Sequence, residues 1–126
     1  EDAAKYTLQR YTFEKPIASY QLVQEKLTDM EIALWNTRNQ LYECGWRMDN
    51  GLDIRLQSSL LKRYGAMSCH KVADEALQIF AGLGFTTETR VGRIMLDIRG
   101  LRIGAGTDEI MVYIAGRMIP KKYANA

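Results

Sequence analysis

A single histidine, two cysteines and two prolines among 126 residues remove several classes of protein at the outset. With His70 alone, no two-histidine metal site can form within one chain. Cys69 is its neighbour and Cys44 lies far off, so no zinc-ligand spacing exists and no metal is expected. A Ser-His-Asp triad would have to run through His70, on a predicted helix and with no nucleophile elbow beside it; it is set aside. Two thiols make no disulfide scaffold, and both read as small core side chains. No run approaches the roughly 18 uncharged apolar residues of a membrane span. The net charge of +2 is too small to mark nucleic acid or an acidic membrane as a partner. Glu1-Asp2-Ala3-Ala4-Lys5 carries no basic region followed by an apolar run, so no secretory signal is read and a cytoplasmic, reducing compartment is expected.

What is present is a globular composition, 47% apolar and 25% charged, of a length that suits one domain spanning 1–126. Few breakers point to helices. Residues Asp2 to Phe13 read as a first helix ended by Pro16, the tail of a longer helix cut short, with Tyr6, Arg10 and Phe13 on neighbouring turns. Ser19 is the expected cap of a second helix reaching Met48. Its stripe is Leu22, Val23, Leu27, Met30, Leu34, Leu41 and Trp46. Asp49-Asn50-Gly51 signals a turn. Asp53 is placed to cap a third helix to Ala81, with Leu56, Leu60, Leu61, Tyr64, Met67, Val72, Ala76, Leu77 and Phe80 inward and Gly82 and Gly84 stopping it at positive φ. A short helix is expected from Val91 to Asp97 and a last one from its cap Thr107 to Met118. No alternating run predicts a strand. The fold class is therefore all-α: an up-and-down four-helix bundle with one short extra helix and a truncated first helix. Apolar stripes left bare by that truncation predict a dimer or higher oligomer.

Charge is unevenly spread. Residues 86–126 hold seven Lys/Arg against four Asp/Glu. With the acids interleaved this reads as a solvated surface, and nucleic-acid binding is the weaker alternative. Within the same stretch, Ile103-Gly104-Ala105-Gly106-Thr107-Asp108-Glu109 sets small residues directly before a helix N-terminus. Such a loop lets a ligand approach the backbone, and its free amides can hold an anion or a carbonyl oxygen. It lacks the Gly-Lys-Ser/Thr ending of a P-loop and the preceding strand of a dinucleotide fingerprint. By itself it reads as a structural turn before a helix, and Gln78-Ile79-Phe80-Ala81-Gly82-Leu83-Gly84-Phe85 reads likewise as a helix stop.

Three segments taken together are more specific. Tyr6-x3-Arg10-x2-Phe13-x-Lys15-Pro16-Ile17-x3-Gln21, then Val72 through Phe85, then Gly106-Thr107-Asp108-Glu109-Ile110 resemble, in order and separation, the C-terminal domain of the acyl-CoA dehydrogenase family. The resemblance implies a helical bundle from an FAD-dependent enzyme that oxidises an acyl-CoA thioester to its 2,3-enoyl product and passes electrons to an electron-transferring flavoprotein. It assigns FAD contacts to Arg10, Gln21, the turn Gln78, Ile79, Phe80, Ala81 and Gly82, and to Thr107, Asp108 and Glu109, partly across a subunit boundary. It sets Ala105 and Gly106 beside thioester and flavin. An arginine suits a pyrophosphate and glutamine amides suit adenine or ribose edges.

Three positions depart from the family pattern. Ala105 stands where most members carry the catalytic glutamate, and an alanine takes no proton, so no catalytic residue is assigned. The Gly-Ala-Gly-Thr loop is similar to that of isovaleryl-CoA dehydrogenase, whose base comes from the preceding long helix, here expected upstream of Glu1. Ala81-Gly82 replaces Gly-Gly, and Leu96-Asp97 replaces Arg-Asp. The chain alone is accordingly expected neither to hold FAD tightly nor to turn over. The competing reading is a non-catalytic helical assembly module, or an inactive partner subunit of a hetero-oligomer.

Overall fold

In the computed structural model, which describes residues 1–124, five α-helices form the chain: α1 (Asp2–Gln9), α2 (Gln21–Asp49), α3 (Arg55–Phe80), α4 (Val91–Leu101) and α5 (Asp108–Ala124). α3 is the central rod, and α1, α2, α4 and α5 all pack on it. The Asp49–Gly51 turn reverses the chain as expected, with Leu52 N–H closing on Arg47 O at 2.9 Å. α2 and α3 therefore run antiparallel, joined by Lys26–Glu75, by Lys71–Asp29 at 3.5 Å, and by Asn36 on the Tyr64 hydroxyl at 3.4 Å. None of the helices among the described residues is long and apolar enough to cross a membrane.

The all-α reading holds, with local corrections. The first helix stops at Gln9, not Phe13. Arg10 is extended, and Tyr11–Thr12 (β1) pairs antiparallel with Lys15–Pro16 (β2) across Phe13 and Glu14. The residue before a proline is driven toward extended backbone, so Lys15 cannot continue a helix. Phe13 and Glu14 both take positive φ, +48° and +66°, the pattern of a two-residue hairpin turn, and Phe13 stands 92% exposed at its tip. Ser19 does not cap α2: its hydroxyl donates to Pro16 O at 2.8 Å, closing a short 3-10 turn, and Tyr20 precedes the helix. Asp53 does not cap α3 either: Ile54 holds the cap position, and Asp53, one residue earlier, accepts the Arg55 N–H at 3.0 Å. α4 runs on to Leu101, and α5 continues through Pro120.

The core lies at one end of α3, where Ala3, Met30, Ile79, Phe80 and Val91 meet with Tyr6, Leu27, Val72 and Ala76 around them. Elsewhere the buried residues of α3 are small, namely Ser59, Gly65, Ala66 and Ala73, which leaves room for neighbouring rods to approach closely. This corrects the expected stripes: Leu22, Leu41, Trp46, Leu60, Tyr64 and Met67 are exposed. A helix with apolar groups on two faces gives one periodicity signal, which cannot say which face its own chain covers.

A bidentate pair ties α1 to the start of α4, Arg90 donating to both Asp2 oxygens at 2.6 and 2.8 Å. That bonding draws the Asp2 carboxyl below the usual aspartate range, and the Arg55 side chain draws Asp53 to about 2. Groups whose folded pKa is depressed stabilise above the unfolded value and lose that contribution as pH falls through the folded one. Acid unfolding curves should therefore show a loss beginning below about pH 4. The Asp2→Asn chain should show a smaller one over the same interval. Identical curves would contradict the assignment.

Candidate functional site

The hairpin and the end of α3 enclose a cleft of about 430 Å³. Arg10, Thr12 and Ile17 line one side, and Ile79 through Leu83 the other, with Tyr6 between. The hairpin is fastened by Tyr20, whose hydroxyl donates to Thr12 O at 2.9 Å, and by Ile17 N–H on Arg10 O at 2.8 Å. Lys15 sits 4.3 Å above the Tyr20 ring. Arg10 is exposed at the mouth of the cleft and makes no ion pair among the described residues. A cation held by extended backbone and left without a carboxylate partner suits a phosphate oxygen. Ile79 and Phe80 turn their side chains into the core, Phe80 stacking on Tyr6 at 4.3 Å, so only their main chain is left to face a ligand. Gln21 and Gln78 are exposed and do not line the cleft. Thr12 carried no motif assignment, and Ile17 belonged to a motif without a site role; they lie there because the chain folds back after Gln9, which periodicity does not register.

The turn after α3 is also corrected. Its positive φ falls on Ala81 (φ +51°, ψ −135°), and Gly84 is ordinary helical backbone. Gly84 is required for space instead: a Cβ there would come within 2.8 Å of both Leu77 O and Phe80 Cβ. Two opposite results follow. Ala81→Gly should stabilise the chain by about 0.5–2 kcal/mol, the relief of a disfavoured conformation less the extra chain entropy of glycine. Gly84→Ala should destabilise it by about 1–3 kcal/mol, because a backbone carbonyl cannot move aside as a side chain can. Urea unfolding checks both, and equal signs would refute the turn geometry.

A second group forms where α4 hands over to α5. Ala105 and Gly106 turn left-handed, at φ +55° and +98°. Thr107 caps α5 as expected, accepting Ile110 N–H at 3.3 Å. The Glu109 carboxyl lies below its ordinary range because its own backbone amide and the Thr107 hydroxyl bond to it. It is exposed at a helix N-terminus, and its lowered pKa makes it a weaker base than an ordinary glutamate. Asp108, by contrast, is buried at 6% exposure and bonded to Arg102. The Cys44 and Cys69 thiols are pushed up by burial and take no part in either group.

The two groups are separate. The Asp108 carbonyl meets Arg63 of α3, whereas the cleft lies against Ile79–Leu83. Eighteen residues of helix separate Arg63 from Ala81, about 27 Å. Within one chain, then, Arg10 and the Ile79–Gly82 turn come together, as do Ala105 through Glu109, but the two sets do not.

Comparison with known proteins identifies the class. The profile described as "Acyl-CoA dehydrogenase, C-terminal domain" matches residues 1–119, and the chain belongs to that family. Among curated proteins it is 48% identical over 125 residues to the probable acyl-CoA dehydrogenase YdiO of Escherichia coli K12, a match covering 99% of this chain and 33% of the relative. Among solved structures it superposes on an acyl-CoA dehydrogenase from Slackia heliotrinireducens with a TM-score of 0.93 and 39% identity, covering 99% of this chain and 33% of that one. Butyryl-CoA dehydrogenase from Megasphaera elsdenii gives 0.92 and 31%, over 94% and 31% of the two chains. PigA, solved as an FAD complex, gives 0.91 and 26%, over 96% and 32%. The chain thus spans about a third of the length of the relatives it matches.

Proposed function

We propose that this chain is the C-terminal domain of an FAD-dependent dehydrogenase that oxidises an acyl-CoA thioester to the 2,3-enoyl-CoA, and that it serves two flavin sites at once. The observation that carries this reading is the separation of the two groups on α3. One set of residues cannot reach the ligand of the other within a chain, which is the arrangement expected if the second belongs to a neighbouring copy. At the first, the Arg10 guanidinium binds the pyrophosphate beside the Ile79–Gly82 backbone, and Gln21 and Gln78, which lie outside the cleft, meet the adenosine. At the second, Thr107 and Glu109 accept polar contacts from the cofactor, and Ala105 and Gly106 leave room for the thioester. When bound, FAD supplies the hydride acceptor. Ala105 cannot remove the α-proton and the lowered pKa of Glu109 makes it a weak base, so the base is contributed by another part of the parent polypeptide.

The same reading makes the parent a homo-oligomer that passes its electrons to an electron-transferring flavoprotein. Its test is anaerobic titration of the full polypeptide with acyl-CoA thioesters of graded length while the flavin absorbance is followed. Bleaching supports the reading; a polypeptide that assembles but holds no flavin supports a non-catalytic assembly module instead.

A further inference from the structure

The loop from Ile103 to Thr107 is fastened at both ends by contacts that the flavin reading does not use. Arg102 Nε donates to Asp108 Oδ2 at 2.7 Å, and the Asp108 N–H donates back to Arg102 O at 3.2 Å, so the residues flanking the loop are bonded by side chain and main chain. Both ends are then moored to α3: Lys62 Nζ donates to Leu101 O, and Arg63 Nη1 to Asp108 O at 3.3 Å. Asp108 is buried at 6% exposure, and its other oxygen, Oδ1, is buried with no hydrogen-bond partner. A carboxylate with one oxygen already unsatisfied depends on its remaining strong donor. Removing Arg102 would leave an uncompensated buried charge, and the loop would have to open for water to reach it.

Inside this closed ring Ala105 and Gly106 sit at positive φ, and a Cβ on Gly106 would come within 2.6 Å of Met111 Cε. Without closure of the ring, nothing compels an alanine to keep that backbone conformation.

We propose that Arg102 and Asp108 are positioning residues: their pair, moored by Lys62 and Arg63, sets the direction of the Ala105–Thr107 backbone, and Asp108 acts on the bound cofactor through the loop without touching it. The inference rests on the reading that this loop faces flavin and thioester. Its test compares the full polypeptide with Arg102→Met, Asp108→Asn, the double variant and Arg102→Lys, which keeps the charge but lacks the Nε donor.

Amide hydrogen exchange of residues 103–107 should accelerate by about tenfold or more in Arg102→Met while that of α2 is unchanged. With the flavin loaded, kcat should fall by about 10–100-fold with KM changed far less. The double variant should lose no more than the worse single one, because both break one unit. Should Arg102→Met not fold, Arg102→Lys carries the same comparison. Unchanged loop exchange overturns the proposal, and so does faster loop exchange with kcat intact, since the pair would then be structural only. If the unaltered polypeptide reduces no flavin, the dehydrogenase reading fails, and the exchange measurement still decides whether the pair holds the loop.

Discussion

Replacing Phe80 by alanine is expected to destabilise the chain by about 3–5 kcal/mol, a large part of the stability of a domain this size. Phe80 is 8% exposed and joins the cluster of Ala3, Met30, Ile79 and Val91, which draws on four different helices. Its ring lies at 15° to that of Tyr6, with centroids 4.3 Å apart, so truncation removes both the buried area and an aromatic contact. Few other large side chains can take over, because on α2 Leu22, Ile32, Trp35, Leu41, Tyr42, Trp46 and Met48 all face outward. The gap also opens directly behind Arg10 and the Ile79–Leu83 turn, so α1 should undock before the rest of the bundle. Phe85 is the control: it is 88% exposed, and Phe85→Ala should change stability by no more than about 0.5 kcal/mol. Urea midpoints for the two variants decide the matter, and similar losses would mean that the core has been misplaced.

Arg10→Ala is expected to weaken FAD binding by the full polypeptide by about 10–150-fold, corresponding to about 1.5–3 kcal/mol for hydrogen bonds to a charged group. The side chain is exposed and has no carboxylate partner among the described residues, so its removal should leave the fold intact. Unfolding midpoints for the flavin-free protein should therefore barely move while the flavin dissociates more readily. Arg10→Lys retains the charge but loses the planar fork, and should recover only part of the affinity. Raising the salt concentration should narrow the gap between wild type and Arg10→Ala, as it does for contacts made in solvent. Equal flavin affinity in all three proteins would remove Arg10 from the site.

Much of the fold was legible in advance because its signals are local. The spacing of Val23, Leu27, Met30 and Leu34 marks α2, the Asn50-Gly51 turn ends it, and Thr107 with Asp108 and Glu109 marks the start of α5. The misreadings occurred where a neighbour in space overrode a local preference. Arg10 to Phe13 contains no breaker, yet the chain leaves the helix there to pair with Lys15–Pro16. Glycine was expected to take the left-handed turn after α3, but Gly84 is committed to close packing against Leu77 and Phe80, and the strained conformation falls on Ala81. The site divides in the same way. The family resemblance named Arg10, the Gln78–Gly82 turn and Thr107, whereas Thr12 in the cleft, and Lys62, Arg63 and Arg102 around the loop, carry no such signature.

The sequence by itself determined that this is a helical chain of the acyl-CoA dehydrogenase type, since periodicity, caps and motif order are properties of neighbouring residues. Tertiary structure alone decided that Arg10 meets the end of α3, that Asp108 turns inward to Arg102, and that the two groups lie against α3 at levels about 27 Å apart along its axis. Those distances follow from how rigid rods cross and pack, and rod packing depends on side chains far apart along the chain that meet only once it has folded.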